Sequence, residues 1–208
     1  MIVTEESKIK TICEPCSSIE EGEEIAKQLL QHLVEAKDGV GLAANQIGIN
    51  KRVCIVNVPT GNNTDPIILI NPEIVEKSEE MFGFMEGCLS FPGEGVQTRR
   101  HKWVKVKADN HESTLFFNVW NENNEDGYNK GERLNYALET ACVQHEIDHL
   151  DGITMYDRQL KLTPTVRRFE KIGRNEKVTI TDGKDTKELK WKKAQPLVES
   201  GEWEMAEV

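Results

Sequence analysis

His145-Glu146-Ile147-Asp148-His149 is an H-E-x-x-H run, and its spacing has a chemical meaning. On a helix, residues i and i+4 share one face, so two imidazoles four apart can bind one cation. Glu146 projects to one side, close enough to exchange a proton with a water on that cation. Two histidines leave a tetrahedral ion one protein ligand short, with a further position open for chemistry. Asp148 sits on the wrong face of the helix, and no histidine follows His149. Glu170 and Glu176 are candidates for the third ligand in a weakly patterned region. Cys88, in Glu86-Gly87-Cys88-Leu89-Ser90-Phe91-Pro92, is another. Its preceding glycine admits close backbone approach, and a thiol beside a dication is readily deprotonated. Taken alone, a cysteine in such a run is more often a small buried hydrophobe.

A third segment, Gly39-Val40-Gly41-Leu42-Ala43-Ala44-Asn45-Gln46-Ile47-Gly48, is built for a tight bend that exposes backbone amides, with Gln46 as a side-chain amide donor. It lacks the Gly-Lys-Ser/Thr ending of a phosphate loop. Cys13-Glu14-Pro15-Cys16 has redox or zinc spacing, but no second pair accompanies it and no thioredoxin-like pattern surrounds it, so it reads as structural. His32, His101 and His111 read as solvated or structurally bonded.

These residues need elements to position them. Residues 18–37 read as an amphipathic helix with Ser18 as N-cap, Ile25, Leu29, Leu30, Leu33 and Val34 turned to the core, and glutamates in the first turns. Runs at 52–58, 67–71, 103–108 and 115–119, rich in β-branched residues and bounded by turn formers, read as antiparallel strands. A second helix spans 133–150 and is closed by Gly152. Leu134, Leu138, Ala141, His145 and His149 share one of its faces. Strands and helices do not alternate regularly, so the pattern favours α+β over a doubly wound sheet. Beyond residue 160, Thr163-Pro164 could open a short helix, 178–181 and 188–192 a hairpin, and 196–208 an acidic, loosely ordered end. Trp191 and Trp203 are available to pack that tail onto the body.

The chain has 208 residues, 38% hydrophobic and 30% charged, enough for one domain with an appendage. A net charge of −10 argues against DNA or general nucleic-acid affinity. No apolar run is long enough for a membrane span, and the first ten residues lack a secretory or transit pattern, so a cytoplasmic location is expected. Five scattered cysteines are expected to be reduced. From Lys161 to Lys193, eleven basic residues face five acidic ones.

Gly-x-Gly-x-Ala-Ala-x-Gln at 39–46, Glu-Gly-Cys-Leu-Ser at 86–90 and Gln-His-Glu-x-Asp-His-Leu at 144–150 occur in that order. Together they resemble the peptide deformylase family, whose three signature motifs are matched at every defining position. The resemblance covers residues 1–160 as a catalytic domain and leaves 161–208 as an extension. It implies antiparallel β-sheets surrounding a central helix that carries the H-E-x-x-H motif. It implies removal of the formyl group from the N-terminal formyl-methionine of newly made polypeptides, with release of formate. By position, Cys88, His145 and His149 become ligands of one divalent metal, with water as the fourth ligand and hydroxide as nucleophile. Fe2+ is the expected ion, and Zn2+, Ni2+ and Co2+ are also able to occupy such a site. Glu146 becomes the general base and acid, and Gln46 and the Leu89 amide the oxyanion donors. Gly41 would hold the substrate backbone. Val40, Phe84, Gly87, Leu138, Ala141 and Cys142 would form the methionine pocket.

One departure stands out. Many members carry an arginine three residues past the proline of the cysteine motif, where this chain has Gly95, and Arg99 or Arg100 is expected to compensate. Bacterial members resemble ribosome-associated enzymes that use a C-terminal element, which makes the basic stretch 161–193 a candidate ribosome contact. The competing readings are an H-E-x-x-H endopeptidase, needing neither Cys88 nor Gln46, and a metal-holding module without turnover.

Overall fold

The structure, a computed structural model, describes residues 1–36, 39–60, 64–119, 130–160, 172–182, 185–199 and 203–205. They fall into two compact units, Met1–Leu160 and Lys161–Val208.

In the first unit, after a single turn α1 (Glu6–Ile9), helix α2 spans Ile19–Ala36. Ser18 caps it, its Oγ accepting from the Glu21 amide at 3.2 Å. Ile25, Leu29 and Leu33 are buried as their spacing predicts, whereas Val34 is 79% exposed. Position 34 lies at the margin of the apolar stripe, where one residue turns the side chain away from the core.

Strands β1 (Gly41–Ala43), β2 (Val53–Val56) and β3 (Ile67–Ile70) form an antiparallel sheet in that order. It is covered on both faces, so its strands are apolar throughout. Leu42, Val53, Ile55 and Ile70 pack with α2. Ala43, Cys54, Val56 and Leu69 pack with Val143, Ile147 and Leu150 of helix α3, which spans Lys130–Leu150. Gly22 lets α2 approach β3, since a Cβ there would stand 2.6 Å from Ile70 atoms.

A second sheet, β4 (Glu73–Lys77), β7 (Trp103–Lys107) and β8 (Leu115–Asn118), adds Val104, Val106 and Phe117 to the core around α3. A long hairpin, β5 (Met81–Cys88) and β6 (Phe91–His101), completes the unit. Antiparallel sheets thus surround the H-E-x-x-H helix, and the class is α+β. The four strands read from sequence stand as β2, β3, β7 and β8; β1, β4, β5 and β6 are additional.

Helix α3 ends in a left-handed turn. Gly152 has φ 70°, its amide donates to His149 O at 3.1 Å, and the Ile153 amide donates to Asp148 O at 2.9 Å. Leu134, expected on the inner face, is 61% exposed, one turn short of where the core begins.

The second unit has its own sheet, β10 (Thr186–Lys190), β9 (Lys177–Thr181) and β11 (Glu204–Met205), with helix α4 at Trp191–Glu199. The hairpin is present but ends at Lys190, and Trp191 begins a helix instead of extending a strand. The stretch expected to be loosely ordered, 196–208, therefore contains the end of α4 and a paired strand. Val178, Ile180, Trp191 and Ala194 form the core of this unit, with Trp203 packed on it, so both tryptophans serve the tail's own core. The helix expected at Thr163-Pro164 lies outside the described residues.

Candidate active site

Helix α3 stacks the rings of His145 and His149 one turn apart, their centroids 4.6 Å apart and their planes perpendicular. Cys88 arrives at the end of β5, with Sγ 3.3 Å from His149 Nε2. One ligand atom from each of the three residues lies within 4.8 Å of the others. Metal–nitrogen bonds near 2.1 Å and metal–sulfur bonds near 2.3 Å in a tetrahedral site separate ligand atoms by roughly 3.5 Å. The donor set therefore fits a single first-row dication. Glu176, one of the open alternatives, is instead turned to the Gly173 amide at 3.0 Å; Glu170 lies outside the described residues.

The histidines are fixed from behind. An ionised carboxylate can only accept, so the 2.8 Å contact of His145 Nδ1 with Glu86 Oε2 places the proton on Nδ1 and leaves Nε2 as the lone-pair donor. Glu86 is 5% exposed and also accepts from Arg100 Nε at 2.6 Å, Arg100 Nη2 at 2.8 Å and Thr98 Oγ1 at 2.6 Å. Burial alone would raise its pKa, but Arg100 and His145 hold it down at about 2. Arg100 reaches on to Asp148, which also binds Arg158 through two contacts at 2.9 and 2.7 Å. Asp148 is on the face of α3 away from the ligands, as expected, and ties that face down. His149 is wholly buried; burial and then the adjacent His145 push its pKa well below the ordinary imidazole range, keeping the ring neutral. The His149 carbonyl accepts from Asn45 Nδ2 at 2.7 Å.

Gln46 lies in a 3-10 turn, Ala44–Ile47, closed by Gly48 at φ 84°. Its Oε1 accepts from the Ala43 amide at 2.9 Å, so its amide nitrogen faces Ser90 Oγ at 3.2 Å and Cys88 Sγ at 3.4 Å. Glu146 is 4% exposed, and its Oε2 has no hydrogen-bond partner among the described residues. Desolvation raises its pKa to about 7. Gly41 is required beside it: a Cβ would stand 2.5 Å from Glu146 Oε1 and from Cys142 Sγ.

These groups open on a cavity of about 420 Å3. Its lining contains Cys88, Leu89, Gln46, His145, Glu146, Val40, Gly41, Phe84, Gly87, Leu138, Ala141 and Cys142. Every residue that the resemblance assigns to the site is there except His149, which is fully buried. The expected compensation by Arg99 or Arg100 does not occur. Arg100 is consumed by Glu86 and Asp148, Arg99 is exposed, and both line a separate cavity with Glu73, Lys77 and Arg158.

Sequence reasoning gave no role to Glu86, Ser90, Asn45 or Arg158, and gave Arg100 a different one. Glu86 sits inside a quoted motif, two residues before Cys88, and that proximity was the available signal. Cys13 and Cys16 are buried and unpaired, and burial pushes the Cys13 thiol up to about 11. His32, His101 and His111 each bind a backbone carbonyl.

A thiol and two imidazoles converging beside a buried carboxylate with one unpartnered oxygen, at the wall of a largely apolar cavity, define a metal-dependent hydrolase. The chain belongs to the polypeptide deformylase family, whose sequence pattern matches residues 1–165. The peptide deformylase of Alkalilimnicola ehrlichii is 30% identical over 183 residues, 86% of this chain and 93% of its own length. That of Bartonella tribocorum is 34% identical over 170 residues, 78% and 86% of the two chains. Among solved structures, a probable peptide deformylase from Synechococcus phage S-SSM7 superposes with a TM-score of 0.61 at 33% identity, covering 76% of this chain and 98% of that one. The class I type b enzyme of Acinetobacter baumannii bound to Met-Ala-Ser gives 0.60 at 31% identity, covering 76% and 96%. The family's reaction, removal of the N-formyl group from nascent polypeptides, is this chain's function. No helix among the described residues is long and apolar enough to cross a membrane.

Proposed function

We propose that Cys88, His145 and His149 hold one divalent ion and that Glu146 moves the protons of formyl-methionine hydrolysis. The observation that carries this reading is the buried, unpartnered Oε2 of Glu146 next to the three converging donors. When bound, the ion supplies Lewis acidity, lowering the pKa of a coordinated water toward neutrality and polarising a carbonyl. Mixed sulfur and nitrogen ligation suits Fe2+, the expected ion, and also Zn2+, Ni2+ and Co2+.

The protein's own groups do the rest. Val40, Phe84, Leu138, Ala141 and Cys142 offer an apolar recess for the methionine side chain, and Gly41 leaves backbone room beside Glu146. Gln46 Nε2 and the Leu89 amide meet the negative charge that grows on the formyl oxygen as water adds to the carbon. Glu146, with a pKa of about 7, takes the proton of that water and returns it to the departing amine nitrogen as the C–N bond breaks. Formate and a free amino terminus result. The Acinetobacter baumannii relative binds Met-Ala-Ser, which has the form of such a product.

The test is formate release from formyl-Met-Ala-Ser. The wild type releases formate and leaves casein intact; Glu146→Ala abolishes release while metal analysis finds the ion retained. Casein cleavage, or activity surviving in Glu146→Ala, overturns the reading.

We infer a cytoplasmic setting, where nascent chains arise and where unpaired cysteines, including a candidate ligand thiol, stay reduced. Ribosome contact through 161–193 is supported by exposed Arg174, Lys187, Lys190, Lys192 and Lys193. Co-sedimentation with ribosomes, weakened by salt and lost on deletion of 161–208, is the expected result.

A further inference from the structure

The β5–β6 hairpin changes register beside the metal-ligand candidate. Gly87 pairs with Gly95, but the next residue, Cys88, pairs with Phe91. Three residues of β6, Pro92, Gly93 and Glu94, are therefore extra and bulge from the ladder. Gly93 has φ 81°, a conformation that favours glycine. All three line the cavity that also holds Cys88, His145 and Glu146.

Glu94 is not a loose surface carboxylate. Tyr156 OH donates to its Oε2 at 2.5 Å, and the Tyr156 ring meets Phe91 edge-on with centroids 5.1 Å apart. Phe91 is the residue paired with Cys88, so the carboxylate is referenced to the strand end that carries the thiol. Its Oε1 has no partner among the described residues and stays available. The other ionisable side chains of the described cavity wall are Glu86, Cys88, Glu146 and His145; no lysine or arginine is among the described lining residues. Glu86 is neutralised by Arg100 and His145, and Glu146 and His145 belong to the reaction centre. Among the described lining residues Glu94 is thus the exposed carboxylate outside the reaction centre, in a chain that carries Gly95 in place of a cation.

Resting on the deformylase reading, we propose that Glu94 is a specificity-determining residue: it selects formyl-methionyl peptides with a lysine or arginine among the residues that follow methionine, and disfavours acidic ones. A formylated terminus has no ammonium group of its own, so a downstream side chain is the only cation such a peptide brings. Tyr156 acts as a positioning residue, holding one oxygen so that the other faces the cavity.

The experiment compares kcat/KM for formyl-Met-Ala-Lys, formyl-Met-Ala-Glu and neutral formyl-Met-Ala-Ser, with the charged residue also moved to the position next to methionine. In the wild type the lysine peptide is favoured over the glutamate peptide by about fivefold at one position or the other, the size expected of a solvent-facing ion pair, and the ratio shrinks as salt is added. Glu94→Gln brings the ratio to unity, and Glu94→Lys inverts it. Tyr156→Phe narrows it without inversion, and mainly through KM. A wild-type ratio of one at both positions, or a ratio unchanged in Glu94→Gln, overturns the proposal. Turnover of the neutral peptide by the wild type reports separately on the deformylase reading. The salt dependence of the wild-type ratio needs no variant and stands even if a substitution impairs folding.

Discussion

Gly41 and Glu146 approach so closely that a single added carbon would displace the carboxylate: a Cβ at 41 falls 2.5 Å from Glu146 Oε1. The other side of that position is closed by Cys142 Sγ, also at 2.5 Å. Gly41→Ala is therefore expected to push the Glu146 carboxylate out of line while sparing Cys88, His145 and His149. A displacement of about 1 Å costs on the order of 100-fold in kcat. Steady-state formate release beside metal analysis checks this. Near-wild-type kcat, or loss of the ion, would contradict it.

Glu86→Ala removes the acceptor of His145 Nδ1–H and the main partner of a 2% exposed arginine at once. Breaking a buried pair by removing one partner leaves an uncompensated charge and destabilises by about 3–5 kcal/mol. Urea unfolding of the variant should show a midpoint lowered accordingly. An unchanged midpoint would mean that Arg100 finds another acceptor.

Glu139, on α3 before the histidines, offers a pH test that does not touch the ligands themselves. Burial raises its pKa, with only the Thr60 hydroxyl, at 2.8 Å, working against the shift. An acid held above its unfolded value binds more protons folded than unfolded, so stability is lost as pH rises from about 4.3 toward the folded value and stays lower above it. Glu139→Gln should remove that loss. The variant is expected to melt higher than wild type at pH 8 and to match it at pH 4. Parallel melting curves at both values would refute the assignment.

Gly152 ends α3 at φ 70°, with a would-be Cβ only 2.6 Å from Lys10 O. The left-handed conformation and the backbone clash act together. Gly152→Ala should cost about 1–3 kcal/mol, read as a lowered thermal midpoint. Equal stability would show that the segment around Lys10 yields freely.

The site was legible where chemistry depends on local spacing. His145 and His149 are four apart on one helix, so their convergence follows from helical geometry, and the three ordered motifs drew Cys88 and Gln46 to them. The support was not legible, because Glu86, Arg100 and Asp148 meet across two strands and a helix that no spacing relates. The β5–β6 hairpin escaped notice because Gly83, Gly87, Gly93 and Gly95 dilute its strand character, although it places Cys88. The end of the chain was misjudged for a related reason: Pro196 inside α4 reads as a helix breaker, and the two-residue strand β11 is too short to show a pattern until its pairing with β9 is seen.

The salt-linked braces on α3 have a consequence for how the protein handles its inorganic component. Asp148 clamps the helix to two arginines, Asn45 stitches its last turn, and Glu86 sets the angle of the first imidazole, all through protein–protein bonds. The cage stands on its own framework, and the cation arrives as a guest rather than as a keystone. Stripping by a chelator should then silence the enzyme without melting it, and one added equivalent of Fe2+ or Ni2+ should restore activity without any refolding lag.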